Sequence, residues 1–437
     1  MTPFPHRVTS MSRPLLGALV VALLCARSLA AQDPTKAVRI GLTYDPRSKP
    51  GIVVLPVNGP GADSIRAILQ RDFDNGGRIT VVPYDGPPTG DANGEGLPNW
   101  KLLAAVGAIA AVQATPTANG LHVAIYDVVG KQTPLVRDYT APAMGDARAW
   151  RARVHFIADD LEESVTGTRG ISRTRVVFER DRQIWAVDSD GEEAIRVSEL
   201  GNPLSAAWSP NGSMIAYGTY RPAQIVVHDL GSGTNRSVAN GSGSFTTPTF
   251  TPDGASVLYA HGVDDGYDLY SVPVEGGTSR RLSVGRGSDN ISPSMSPDGR
   301  RVAFMSARAG HPEIYTMDAD GTNPDPLTPT DFGPAAYRAK PNWSPDNRNV
   351  VFQSRVSGKF QVMSIGLRDK RVRQLTSDGT NEDPSWAPDG QHVVFTSNRS
   401  GTLQLWVLDI ETGRARQLTH GAPSRRGVWS PRLATNG

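Results

Sequence analysis

The chain has 437 residues, of which 38% are apolar and 20% are charged, with 45 Lys and Arg against 43 Asp and Glu. This length exceeds one ordinary hydrophobic core and predicts two domains or a repeat array. Because the charges are balanced, the composition does not indicate a nucleic-acid-binding protein. The 45 Gly and 34 Pro favour short strands and many turns over long helices.

Residues 1–30 predict a Sec-type signal peptide. Arg7 and Arg13 precede the apolar run 15–25, and small residues around Ala30 favour cleavage after it. The run is short for a membrane span, no Arg-Arg pair indicates the twin-arginine route, and large residues before Cys25 argue against lipidation. Cleavage would remove the only cysteine and three arginines, which leaves a mature chain of about −1 net charge without disulfides.

Residues 31–166 predict a small α/β domain, followed by a linker at 167–173. Val- and Ile-rich segments predict strands at 37–42, 52–57, 78–83 and 108–114. Apolar residues at helical spacing predict a helix over 60–74, and the Gly- and Pro-rich stretch 85–98 predicts a surface loop. About 140 residues of this kind can fold as an independent domain.

The second half of this domain contains a hairpin and two capped helices. Residues 121–129 and 133–140 predict the hairpin, whereas Asn99 and Asp146 predict helices reaching 106 and 165. No phosphate loop, dinucleotide fingerprint or His-Glu-x-x-His motif occurs here. We therefore interpret His122 and His155 as ordinary strand and helix residues.

A five-residue phrase recurs through residues 174–437. Its first residue is Trp, Phe or Met, its second is Ser, Thr or Ala, its third is Pro, its fourth is Asp or Asn, and its fifth is Gly or Asn. Full copies begin at Trp208, Phe250, Met295, Trp343 and Trp386. A truncated sixth copy occupies 429–431, and successive prolines stand 42 to 48 residues apart. Each full copy precedes three more strand-like segments, so the repeat predicts a four-stranded propeller blade.

The residue order of the phrase has a mechanical explanation. Ser, Pro, Asp and Gly occupy the four positions of a type I turn between adjacent strands. The preceding large apolar residue would end the innermost strand and pack between blades. We interpret it as a core residue rather than a ligand contact.

The two ends of the repeat array predict a closed ring. Residues 174–198 lack the first strand of a blade, and the last copy supplies only that strand. Closing the ring with 427–431 removes both exposed edges. The predicted fold is an all-β six-bladed β-propeller with a smaller N-terminal α/β domain.

No motif predicts catalysis, a metal site or a cofactor. A calcium loop starting at Asp318 would have Pro329 where a bidentate acid is required. No Gly-x-Ser-x-Gly elbow occurs, and the histidines of the repeats are scattered without metal-ligand spacing. The expectation is a binding protein rather than an enzyme.

The segments that enter the innermost strands are charged and polar, and they are expected to ring one channel mouth. Loops on a rigid scaffold suit recognition of a protein or peptide. The predicted partner-binding residues are Asp289, Asn290, Arg338, Lys340, Glu382, Asp383, Arg425 and Arg426.

These motifs resemble the TolB family, the periplasmic component of the Tol-Pal system of Gram-negative envelopes. The resemblance rests on Thr174-Arg175-Val176-Val177-Phe178, on 314–321, on the closing Trp429-Ser430-Pro431, and on 161–170 as the family's helix and Thr-Gly linker. It implies a monomeric, non-enzymatic periplasmic adaptor that spans no membrane and supports outer-membrane integrity, cell division and protein import.

In that family the channel mouth receives the lipoprotein Pal, and the segment after the signal peptide engages TolA. Here that segment would be 31–43, with Val38, Arg39 and Ile40 as its recognisable part. The alternative interpretation is an exported propeller enzyme or carbohydrate-binding protein acting at the channel. It predicts saturable small-molecule binding that is lost when Asp289 or Glu382 is changed to Ala.

Overall fold

The structure is a computed structural model that describes residues 42, 48–87, 96–142, 144–198, 202–263, 266–284, 288–328 and 337–433. The predicted signal peptide and the predicted TolA-binding residues Val38, Arg39 and Ile40 lie outside the described residues. Among the described residues, no helix combines the length and apolarity that a membrane crossing requires.

The N-terminal domain contains a mixed five-stranded sheet. Its order is β2-β1-β3-β4-β5, with β1 parallel to both neighbours and β3, β4 and β5 antiparallel. The strands are β1 (Gly51–Val54), β2 (Thr80–Val81), β3 (Ala110–Thr117), β4 (Gly120–Asp127) and β5 (Gln132–Thr140). The predicted hairpin is therefore confirmed as β4 and β5, whereas the predicted strand 78–83 shortens to two residues.

Three helices cover the sheet: α1 (Ala62–Gly76), α2 (Trp100–Ala105) and α3 (Ala147–Thr166). The predicted caps are confirmed, because Asn99 accepts from Leu102 N at 3.1 Å and Asp146 accepts from Ala149 N at 3.0 Å. The apolar faces of α1 and α3 share one core with the sheet, and α2 packs into a second core. The α/β prediction for this domain is confirmed.

The remaining strands form six four-stranded antiparallel sheets, which are the blades of a propeller. The first five blades in chain order are β9 (Pro203–Trp208), β10 (Met214–Tyr220), β11 (Ala223–Asp229) and β12 (Asn235–Asn240); β13 (Ser244–Phe250), β14 (Ser256–Val263), β15 (Gly266–Pro273) and β16 (Arg280–Arg281); β17 (Asn290–Met295), β18 (Arg301–Ser306), β19 (Glu313–Asp318) and β20 (Asp325–Pro326); β21 (Arg338–Trp343), β22 (Asn349–Val356), β23 (Lys359–Gly366) and β24 (Val372–Gln374); and β25 (Asn381–Trp386), β26 (His392–Ser397), β27 (Gln404–Asp409) and β28 (Ala415–Gln417).

The sixth blade joins the two ends of the propeller sequence. It consists of β29 (Ser424–Trp429), β6 (Arg175–Arg180), β7 (Gln183–Asp188) and β8 (Ile195–Arg196), in that order. Trp429 donates its indole N–H to Thr174 Oγ1 at 2.8 Å, and Ser430 N donates to Arg175 O at 2.8 Å. The prediction of a six-bladed propeller is confirmed.

The recurrent phrase forms the turn after each innermost strand. In the first copy, Gly212 N donates to Ser209 O at 2.9 Å, and Gly212 has a φ of 72° that suits glycine. Asn347 occupies this position in the fourth copy with a φ of 61°. Trp208, Trp343, Trp386 and Trp429 are all buried at the ends of their strands, which agrees with the interpretation as core residues.

Candidate functional site

The six innermost strands all bulge at the same level, around a central channel. Pairing between innermost and second strands shifts register at one point in every blade. The first bulged residue has a φ between 46° and 56° in each blade, although none of the six is glycine. We call these residues the throat ring: Ser205, Thr247, Ser292, Lys340, Asp383 and Arg426.

The bulge has a clear cause in the sequence. In four blades the residue after the throat-ring residue is proline, which lacks the N–H that a regular ladder would require. The other two blades have Ala206 and Gly427 at this position. Throat-ring residues and their neighbours line a channel cavity of about 120 Å³.

The strained backbone of the throat ring is held by bonds between blades. The ring N–H donates to a side chain of the preceding blade in four cases: Ser205 to Glu179 Oε1 at 2.8 Å, Ser292 to Thr247 Oγ1 at 3.1 Å, Asp383 to Gln353 Oε1 at 2.9 Å, and Arg426 to Thr396 Oγ1 at 3.0 Å. Left-handed non-glycine residues persist only where the surroundings over-determine them. These bonds therefore make the throat a rigid, pre-formed surface.

Charge is confined to half of the throat ring. Ser205, Thr247 and Ser292 are neutral, whereas Lys340, Asp383 and Arg426 lie on three consecutive blades. The first three have uncharged hydroxyl side chains, of which Ser292 Oγ is buried and Thr247 Oγ1 accepts from Ser292 N. A partner in the throat would therefore meet an uncharged half and an ionic half.

Glu179, at the end of β6, organises the ionic half. It is 5% exposed and lies 2.9 Å and 3.0 Å from Arg426 Nη1, while Arg425 Nε lies 3.3 Å away. The same carboxylate accepts from Ser205 N. Glu179 therefore joins both arginines and the Ser205 N–H at one buried carboxylate, which holds the two guanidinium groups in place.

Lys340 and Glu382 titrate abnormally because they are removed from water. Burial lowers the pKa of the Lys340 ammonium, and the carboxylate of Asp383 offsets part of this effect. Burial raises the pKa of Glu382, and neighbouring Asp383 raises it further. Lys340 lines the channel cavity, and within the described part of the chain it makes no hydrogen bond or close ion pair.

Two predicted contact residues are buried inside the blades. Asn290 is 0% exposed and bonds Asp268 Oδ1 at 3.0 Å, while Arg338 is 5% exposed and donates to Glu313 Oε2 at 2.6 Å. Both side chains connect one blade to the next. The others differ: Asp289 and Arg425 are exposed, Glu382 is half-buried, and Lys340, Asp383 and Arg426 line the channel.

A second polar cluster, which the sequence did not reveal, joins the N-terminal domain to the propeller. His155 on α3 lies 2.7 Å from Asp72 on α1 through Nδ1, and 3.9 Å from Asp190 of the β7–β8 turn through Nε2. Burial alone would lower the pKa of His155, but the two carboxylates together raise it. The interpretation of His155 as an ordinary helix residue was therefore incomplete.

This cluster has ligand atoms of the kind that metals use, within 4.8 Å of one another. However, Arg151 donates to Asp190 and so supplies the positive charge that a metal ion would bring. The arrangement fits a buried ion network across the domain boundary better than a metal centre.

Comparison with known proteins supplies the family context. A family model described as the TolB β-propeller domain matches residues 162–433. The Tol-Pal system protein TolB of Mannheimia succiniciproducens is 28% identical over 243 residues, which cover 52% of this chain and 56% of that protein. The TolB of Bordetella pertussis is 30% identical over 185 residues, covering 40% and 42%. The matched region is thus about half the length of these curated relatives.

The crystal structure of TolB from Acinetobacter baumannii has a similar fold. It superposes with a TM-score of 0.75 at 24% identity and covers 90% of this chain and 99% of that chain. The similarity therefore includes both the N-terminal domain and the propeller.

Proposed function

This chain belongs to the TolB β-propeller family, and on that premise we propose that it is a non-enzymatic periplasmic adaptor of the Tol-Pal system. The partner at the channel mouth is a Pal-like peptidoglycan-associated lipoprotein. The segment 31–43, with Val38, Arg39 and Ile40, engages a TolA-like inner-membrane protein. The adaptor acts as a monomer and supports outer-membrane integrity and cell division.

The observation that carries the proposal is the throat ring. Six strained backbone positions and their inter-blade bonds present Lys340, Asp383 and Arg426 in fixed positions at one channel. Pre-organisation reduces the ordering entropy that a partner must overcome on binding. A rigid charged rim of this kind suits recognition of a folded protein surface.

The predicted contact residues take two roles in this proposal. Asp289, Lys340, Glu382, Asp383, Arg425 and Arg426 contact the partner. Asn290 and Arg338 are buried, so they position the strands that carry the contacts. Changing Asp289, Lys340 or Glu382 would weaken binding with little loss of stability. Changing a positioning residue, or Arg426 with its bond to buried Glu179, would reduce stability as well.

Titration of the mature chain with the soluble domain of a Pal-like lipoprotein from the same organism tests the proposal. Wild type is expected to form a 1:1 complex in calorimetry. Glu382→Lys is expected to weaken it at least roughly tenfold, because it reverses a charge at the throat. Asp346→Lys is the matched control, since Asp346 lies in the phrase turn at the opposite end of its blade.

Absence of any complex with the wild-type chain would overturn the proposed function. Saturable binding of a small sugar or other metabolite, lost in Asp289→Ala or Glu382→Ala, would instead support the alternative function as a channel enzyme or carbohydrate-binding protein.

The proposed contact with a TolA-like protein is tested separately. A synthetic peptide of residues 31–43 should bind a TolA-like domain, and changing its Val38, Arg39 and Ile40 to Ala should abolish that binding.

A further inference from the structure

A second cavity, of about 630 Å³, opens beside the throat at the same end of the propeller. It lies where the β6–β7 turn, the start of β9, the β10–β11 turn and the residues before β29 meet. We call it the arginine groove. Its lining residues are Glu179, Arg180, Asp181, Arg182, Asn202, Pro203, Leu204, Tyr220, Arg221, Leu403, Pro423 and Arg425.

The arginine groove combines apolar surface with a cationic rim. Pro203, Leu204, Leu403 and Pro423 supply the apolar surface, and the ring of Tyr220 is 64% exposed beside them. Protein interfaces are enriched in Tyr and Arg, which offer large contact area with a polar end. A groove with this composition is typical of a binding surface for protein.

The charges of the groove are unbalanced. Four arginines face two carboxylates, and one of these, Glu179, is already bound by Arg425, Arg426 and the Ser205 N–H. Arg180 donates to the neutral oxygens Ser424 Oγ and His420 O. Among the residues that the structure describes, no carboxylate lies within ion-pair distance of its guanidinium group.

Arg182 and Arg221 carry the excess charge. Both are exposed, and neither makes a hydrogen bond or ion pair with any residue that the structure describes. Arg182 follows Asp181 in a two-residue hairpin turn, where both have positive φ, 51° and 58°. Such turns favour Asn-Gly, so the turn displays an arginine where the backbone would favour glycine.

We propose that the arginine groove binds an acidic segment of the partner protein, with Asp or Glu side chains on Arg182 and Arg221 and an apolar side chain on the surface beside Tyr220. Charge complementarity selects this occupant, because carboxylates are the unmodified protein groups that neutralise exposed guanidinium groups. The groove adjoins the throat through Glu179, which contacts both. This inference rests on the proposed function, because the partner that supplies the acidic segment is the Pal-like protein bound at the channel mouth.

The test compares the double variant Arg182→Glu/Arg221→Glu with wild type in titrations against the Pal-like domain at 50 mM and 500 mM salt. The double variant is expected to lose roughly tenfold or more in affinity at low salt. The difference should shrink at high salt, because exposed charges are then screened. Arg348→Glu is the matched control, since its side chain is 82% exposed in a turn at the opposite end of its blade.

A peptide arm separates the two proposals. A synthetic peptide of alternating Glu and Leu with one Trp should bind wild type more tightly than its Gln counterpart, and the double variant should remove this preference. If the Pal-like domain binds wild type and the double variant equally, the groove inference is wrong and the proposed function stands. If the Pal-like domain does not bind but the acidic peptide does, the proposed function fails while the groove still selects acidic segments. If wild type shows no preference for the acidic peptide, the inference is overturned.

Discussion

Glu162 on α3 is a buried carboxyl group whose protonation should control stability at the domain boundary. It is 1% exposed, and neither oxygen has a hydrogen-bond partner among the described residues. The carboxyl group packs against two glycines: a Cβ on Gly76 would lie 2.6 Å from its Oε2, and one on Gly170 would lie 2.7 Å away. The nearest cation, Arg78 Nη1, is 3.5 Å from Oε1 and is shared with Asp389 of the propeller.

These surroundings determine the size of the effect. Burial raises the pKa of Glu162 from 4.5 to about 8, and Arg78 offsets only part of this increase. At 1.36 kcal/mol per pKa unit, the shift corresponds to roughly 5 kcal/mol. Because the native state holds the proton more tightly than the unfolded chain, this stabilisation is complete below pH 4.5 and is lost as the pH rises through 8. Roughly 4 kcal/mol of it should disappear between pH 5 and pH 8.5.

Urea unfolding of Glu162→Gln and wild type at the two pH values measures this effect. The amide cannot ionise, so the variant should match wild type within about 1 kcal/mol at pH 5 and exceed its stability by several kcal/mol at pH 8.5. Glu163→Gln is the control, because Glu163 is the next residue on α3 and is partly exposed. Equal pH dependence of Glu162→Gln and wild type would refute the assignment of a protonated carboxyl group at this position.

Three further changes test other parts of the structure. His155→Gln leaves two buried carboxylates without their bridging imidazole, which should reduce stability by about 3–5 kcal/mol and speed tryptic cleavage in the linker 167–173. Trp429→Ala should reduce stability by about 3–5 kcal/mol because Trp429 is buried in the closing strand, measurable as a lower melting temperature with aggregation in size-exclusion chromatography. Ser292→Gly should increase the free energy of unfolding in urea by about 1–2 kcal/mol, because it removes a left-handed non-glycine residue whose buried hydroxyl has no hydrogen-bond partner among the described residues. Ser294→Gly, the control, should reduce stability because Ser294 Oγ accepts from Trp343 N at 3.0 Å.

The features that the sequence predicted well are the ones with a local cause. The Pro-Asp-Gly turn, the caps at Asn99 and Asp146 and the hairpin of β4 and β5 each depend on residues close together in the chain. The closed ring was also predictable, because a strand absent at one end was present at the other. Fold class and blade number followed from these signals alone.

The site was less predictable because its contacts join distant parts of the chain. Glu179 and Arg426 are separated by 247 positions, and His155 and Asp72 by 83. Nothing local marks Asn290 and Arg338 as buried, since their charge and polarity are typical of loops; their partners are on the preceding blade. Sequence spacing located the strand entrances correctly but could not show which polar side chains turn inward.

The bulge of the innermost strand lies just upstream of each phrase, at the level of the predicted contact residues Lys340, Asp383 and Arg426. A regular innermost strand, which pairs on one side only, would commit alternate backbone N–H groups to the second strand of its blade. The bulge releases one residue per blade from this pairing, and in four blades the next residue is a proline, which has no N–H to donate to the ladder. The side chain at this position differs between blades and is Ser, Thr, Lys, Asp or Arg, although the Thr247 side chain also bonds the neighbouring blade and the Arg426 side chain bonds Glu179 of its own blade. The phrase at the other end of the strand makes the opposite contribution, because its buried aromatic residue and tight turn anchor the strand against the strain. The phrase end of the innermost strand is thus similar in all blades, whereas the side chain at the bulged end differs in charge from blade to blade. A repeat architecture can in this way present an asymmetric binding surface at its channel.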